Sequence, residues 1–264
     1  MSGVDSSKII ILIATWVLML LWLAFVVVSG VVAFRKWQKT EGSAQVQMLY
    51  LWIGAAVVFT GDFLHTIAAT ISTYTDNATG PIHVLGGIFE FRTFAMFFDA
   101  LVFMVYYTLW ALFIVVRYQQ GTFKSFDKIS ISLAAAAIVL ILPGAVPNAL
   151  GIYTLEYDIA IWAPHIILFM IFGVMTVCKL ISCSRYAVTQ TADPVIQTQE
   201  RALSKTGIGF AFSFLFFFLS LALLPINELF AMFMIPKTFA YMFAFFHLIT
   251  GVLRSTAEAQ VDLR

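Results

Sequence analysis

Charge is what this chain has least of. Only 11% of its 264 residues are Asp, Glu, Lys or Arg, where a soluble domain carries about 25%. So few charged side chains cannot cover the surface of a soluble globular protein of this length. Cysteine is almost missing too. Cys178 and Cys183 both fall where the fifth apolar run would meet the cytoplasm, which leaves no disulfide framework. Long polar segments are absent: the gap between Ser182 and Thr206 is the widest between apolar runs, and it is too short for a soluble domain. No phosphate loop, nucleophile elbow, Cys-x-x-Cys pair or dinucleotide fingerprint occurs, so nucleotide, acyl-serine and dithiol chemistry have no motif to rest on.

Apolar sequence is what remains. The chain is 61% hydrophobic, with 27 phenylalanines, a composition suited to lipid as solvent. A bilayer-spanning helix needs roughly 20 mostly apolar residues, and seven runs qualify: 9–34, 48–73, 93–117, 129–150, 159–182, 206–226 and 238–254. The first reads as a retained span and not a removable signal, because it is too long and its basic cluster (Arg35, Lys36, Lys39) follows the apolar run. The expected fold is therefore all-α: a seven-transmembrane-helix bundle forming a single polytopic domain over 1–264.

The basic residues orient it. The odd-numbered connections and the tail hold Arg35, Lys36, Lys39, Arg117, Lys124, Lys128, Lys179, Arg185, Arg201, Lys205, Arg254 and Arg264. The N-terminus and even-numbered connections hold only Lys8, Arg92 and Lys237. By the positive-inside rule the N-terminus lies outside and the C-terminus is cytoplasmic, the plasma membrane being the expected location. Asp76, Glu90, Glu156, Asp158 and Glu228 make the outer loops acidic, and Asn77-Ala78-Thr79 is an outer glycosylation acceptor in a host that glycosylates. Gly80 to Arg92 is apolar enough to fold back onto the bundle or lie in the interface. Pro143 and Pro147 should kink or end the fourth helix, Pro164 sits in the first turns of the fifth, and 185–205 reads as a solvated connector.

Ionisable groups in hydrocarbon are rare and mark function by default. Counting about 1.5 Å per residue puts Asp62, His65, Asp99, His165 and His247 in the outer half of the bundle. Asp62 and His65 share a face with Ala55, Val58 and Ala69; Asp99 shares one with Arg92 and Tyr106; His247 aligns with Ala240, Phe243 and Gly251. Small neighbours argue that these groups face other helices. Three readings follow. They tie helices together as buried hydrogen bonds. They hold a metal, with His65, His165 and His247 as zinc ligands and Asp99 and Asp62 as catalytic carboxylates, zinc keeping an open position for water. Or paired histidines hold haem, with Arg92 for a propionate; no two-pair arrangement is visible, so haem ranks below zinc. His83 reads as an exposed side chain, Phe214 to Phe218 as packing or lipid-facing surface, and Lys237 as too shallow for a retinal Schiff base.

Phe246-His247-Leu248-Ile249-Thr250-Gly251 resembles the last helix of alkaline ceramidases, in the larger group that includes adiponectin-receptor-like seven-helix hydrolases. The second run, through His65-Thr66, and the third, with Asp99, Met104 and Tyr106, are similar as well. Phe243 stands where that family has another histidine, and Gly61 where it has a serine. The resemblance implies zinc contacts from His65 and His247, Asp99 beside the reactive water, and cleavage of a lipid amide; Asp62 would orient His65. The alternative function is a non-enzymatic receptor, sensor or transport-associated protein with an outward-facing pocket for a lipid or small molecule, or a membrane subunit of a larger complex. No nucleic-acid partner is expected.

Overall fold

A computed structural model describes residues 6–37, 43–74, 82–85, 89–149, 159–223, 226 and 232–252. The Asn77 acceptor, the acidic residues Asp76, Glu156, Asp158 and Glu228, and the basic residues Lys39, Arg254 and Arg264 lie outside the described residues. Seven α-helices occur among those described: α1 (Ser6–Trp37), α2 (Ser43–Tyr74), α3 (Phe91–Gln119), α4 (Ser125–Ala149), α5 (Ile159–Gln190), α6 (Pro194–Leu223) and α7 (Met234–His247). The last continues as a π-helical segment, Leu248–Val252. Two two-residue strands, β1 (His83–Val84) and β2 (Phe89–Glu90), pair antiparallel with His83 opposite Glu90. Among the described residues the architecture is otherwise helical, and the described part of each apolar run lies on a helix, apart from Ile226, which is in a turn.

Stretches of four helices are long and apolar enough to cross a membrane: Ile9–Val32, Phe91–Gln119, Pro164–Gln190 and Pro194–Leu223. α2 contributes a shorter apolar stretch, Ala56–Ala68. On α1 the exposed side chains include Ile10, Ile13, Val17, Leu20, Val28 and Val31. A soluble monomer rarely exposes contiguous apolar area of that kind; hydrocarbon is the solvent that suits it.

Helix ends depart most from the sequence reading, because helices outrun the apolar residues. α5 and α6 leave only residues 191–193 between them, so most of the expected 185–205 connector is helical. Asp193 caps α6, its Oδ1 accepting from Val195 N at 2.8 Å, with Pro194 at the first helical position. Asp127 similarly reaches back to accept from Lys124 N at 2.9 Å and closes the start of α4. α4 runs through Pro143 and ends two residues beyond Pro147. At the start of α3, Glu90 is buried and accepts from Ile82 N at 2.7 Å, Arg92 N at 3.0 Å and Thr93 N at 2.5 Å. That one carboxylate caps the helix and pins the preceding segment. Ile82 is buried with Ala68 and Ala95, so this part of the Gly80–Arg92 stretch folds back onto helices.

By contact the chain forms two compact units, each assembled from three separate stretches. The first comprises Met1–Leu20, Val57–Ala111 and Phe123–Phe172; the second comprises Leu21–Ala56, Leu112–Thr122 and Gly173–Arg264. Around α3 and α5 the first unit is aromatic. Phe169 meets Phe103 at 6.1 Å and Tyr107 at 5.9 Å between ring centroids, and Tyr106 packs edge-on to Tyr107 and Trp110. The second unit is built on α6 against α7. A Cβ added at Gly209 would fall 2.8 Å from Ala244 Cβ, and one at Gly251 would fall 1.9 Å from Ala202 Cβ. Both positions need glycine because the backbones approach closely.

Candidate polar site in the first unit

At Gly61, α2 packs tightly against α3. A Cβ there would lie 2.4 Å from Asp99 Oδ1 and 3.2 Å from Asp99 Cα. Glycine therefore lets Asp99 lie directly on the α2 backbone, one residue from Asp62. Asp62 is 9% exposed, while Asp99 is half-buried. Asp99 thus packs on the helix residue that precedes Asp62.

Asp62's face continues as a hydroxyl ladder. Thr66 Oγ1 donates to Asp62 O at 2.8 Å, Thr70 Oγ1 donates to Thr66 O at 2.7 Å, and Trp16 Nε1 of α1 donates to Thr70 Oγ1 at 2.9 Å. The sequence suggested no role for Trp16 or Thr70, and none for Thr66 beyond its place beside His65. Their signal was the four-residue spacing of Asp62, Thr66 and Thr70, which stacks them on one helix face. His65 was expected on the bundle-facing side with Asp62. It is exposed instead, since a three-residue step rotates it away from the face that Thr66 keeps buried.

His165, on α5, is 2% exposed. Its Nδ1 lies 2.9 Å from Ala137 O of α4. A carbonyl only accepts, so Nδ1 carries the hydrogen and Nε2 keeps the lone pair. Fully buried Ala137 is small enough to let the imidazole reach the α4 backbone. One turn on, Phe169 lies parallel to the ring, at 4° and 6.5 Å between centroids. His83, on β1, is exposed, as its loop position implied.

His247 belongs to the second unit. It ends α7, half-buried, edge-on to Phe243 at 4.5 Å and to Phe246 at 5.6 Å. Lys205 of α6 is within electrostatic reach. The depth count began this helix near 238, whereas α7 begins at Met234. At about 1.5 Å per residue His247 is carried further along, to the stretch of α6 where Thr206 Oγ1 donates to Ala244 O at 3.1 Å. Of the expected zinc ligands, then, His65 and His165 lie in the first unit and His247 in the second. Among the described residues, no three His, Cys, Asp or Glu side chains are grouped to hold a metal ion.

Two other polar features make contacts that the sequence did not suggest. Lys237 is buried, its Nζ 5.4 Å from the Phe217 ring centroid and 5.9 Å from that of Tyr241. Glu200, also buried, accepts from Arg117 Nη2 at 2.6 Å and Nε at 2.9 Å, and from the Tyr118 hydroxyl at 2.5 Å. Arg117 had counted only as a topology signal. Its partner is 83 residues away in the chain, beyond the reach of any local pattern. No protein-family model matches the chain, and neither the curated proteins nor the solved structures contain a match to it.

Proposed function

We propose that this chain is a seven-helix membrane protein, N-terminus outside and C-terminus cytoplasmic, of the receptor, sensor or transport-associated class, and that Asp62 and Asp99 recognise a cationic ligand. The observation that carries the reading is the approach of α2 to α3 at Gly61, which sets Asp99 one residue from Asp62. Carboxylates in a low-dielectric setting gain most from a compensating cation, and intramembrane acids mark ion and proton paths. Below Asp99 on the same face of α3 stand Phe103, Tyr106 and Trp110, all buried, an aromatic stripe suited to an ammonium group or a small cation. Seven helices, with the basic residues distributed as they are, support the topology.

Thermal unfolding of the purified protein, with sodium, magnesium or tetramethylammonium chloride, tests the reading. At a hundredfold excess over its dissociation constant, a bound cation stabilises by about 2.7 kcal/mol. That gain should vanish in Asp62→Asn and Asp99→Asn. No cation-dependent gain in the parent, or an undiminished gain in both variants, would overturn the assignment.

A zinc-dependent hydrolase of a lipid amide is the second reading, favoured by one observation. His165 donates its Nδ1 hydrogen to a backbone carbonyl, the arrangement that presents Nε2 in metal-binding imidazoles. Elemental analysis separates the two: stoichiometric zinc, lost on His165→Ala, supports the hydrolase, and its absence from protein purified without chelators ends it.

A further inference from the structure

In the second unit, α1 and the end of α7 leave an apolar groove of about 360 Å³, within the roughly 300–1,000 Å³ range of ligand sites. Phe25, Val28 and Val32 form one wall, and Phe246 and Ile249 the other. Two hydroxyls also line it, but both are turned to their own helices: Ser29 Oγ donates to Val26 O at 2.9 Å and Thr250 Oγ1 to Phe246 O at 2.7 Å. The groove thus offers an occupant almost nothing but hydrocarbon. Its α7 wall lies where the helix passes into π geometry, over Leu248–Val252, a rare distortion found mostly at functional positions. Behind the α1 wall, fully buried Trp22 stacks on Phe25 and packs against Phe245.

The next turn of α1 beyond the groove carries a charge. Arg35 is exposed and lies one turn beyond Val32, with Val28 and Val32 preceding it by seven and three residues on the same side of α1. Its long side chain can lie along the apolar wall while the guanidinium reaches the interface, where it forms paired hydrogen bonds to phosphate oxygens. We propose that this groove is a site for an anionic phospholipid, one acyl chain between α1 and α7 and the headgroup phosphate on Arg35. The membrane setting supplies the occupant: α1 carries the candidate span Ile9–Val32, and Val28 is 63% exposed. The site uses neither Asp62 nor Asp99, so failure of the cation test leaves it standing.

The test uses the full chain in phosphatidylcholine nanodiscs containing a minor fraction of phosphatidylglycerol with a photoreactive acyl chain, adducts being mapped by mass spectrometry. Adducts should concentrate on Phe25–Val32 and Phe246–Thr250 and fall several-fold in Val28→Trp, which fills the groove from an exposed position without touching the core. Arg35→Gln should lower phosphatidylglycerol adducts several-fold while sparing those of a matched phosphatidylcholine probe. Adducts spread evenly over exposed α1 positions such as Ile10 and Val17, or unchanged in Val28→Trp, would overturn the site. Equal labelling by both lipids with no effect of Arg35→Gln would overturn the headgroup assignment.

Discussion

Among the described residues each unit buries one glutamate, and they keep it by opposite means. In the first, Glu90 has its carboxylate satisfied by three backbone N–H groups, from Ile82, Arg92 and Thr93. In the second, Glu200 depends on side chains, the guanidinium of Arg117 and the hydroxyl of Tyr118. The difference matters for what each can do. A carboxylate held by a helix start is fixed wherever that helix forms, because its donors come with the backbone. One held by an arginine joins α3 to α6 only while both partners are present and charged. The first arrangement sets local geometry; the second ties distant stretches of chain together.

Arg117→Ala should have the largest effect, since it strands a buried charge; such losses cost about 3–5 kcal/mol. Unfolding in graded denaturing detergent should show it, and Arg117→Ala with Glu200→Gln should recover much of the loss. A loss below that of the Glu90 variant would dissolve the contrast. Glu90→Ala should cost about 1–3 kcal/mol through several orphaned backbone donors, and hydrogen exchange should rise at Ile82, Arg92 and Thr93 while α6 stays protected. Exchange rising equally in both units would mean that Glu90 is not local. The smallest effect is expected from Thr206→Val, which keeps the shape of the α6–α7 contact and removes one bond to Ala244 O. Interhelical bonds of this kind average about 0.6 kcal/mol, and the same denaturation assay should register a shift of that size.

How far the polar cluster could be read from sequence depended on distance along the chain. Asp62 and Asp99 were recognisable because intramembrane acids are rare. That Asp99 itself lies on Gly61 required the packing of α3 against α2. His165 drew notice as a buried imidazole, yet its tautomer depends on Ala137, 28 residues away. The start of the helix that carries His247 was read at 238 and lies at Met234, because a helix can begin ahead of its apolar run. His65 misled because three-residue spacing sits at the margin of a helix face, where neighbours decide between burial and exposure.

Composition alone determined that this chain is helical and built for an apolar solvent. Backbone polar groups in hydrocarbon must be satisfied within the segment, and seven apolar runs with scarce charge leave helices as the solution. The same logic located the basic flanks, since charge patterning is one-dimensional and needs no fold. Tertiary structure decided everything that requires two segments at once: the Gly61–Asp99 contact, the threonine ladder reaching Trp16, the Arg117–Glu200 pair and the groove between α1 and α7. The physical reason is that lipid resembles an apolar side chain in polarity. Hydrophobicity therefore tells a residue it is in the membrane but not which neighbour it will touch, and close packing with specific hydrogen bonds settles that.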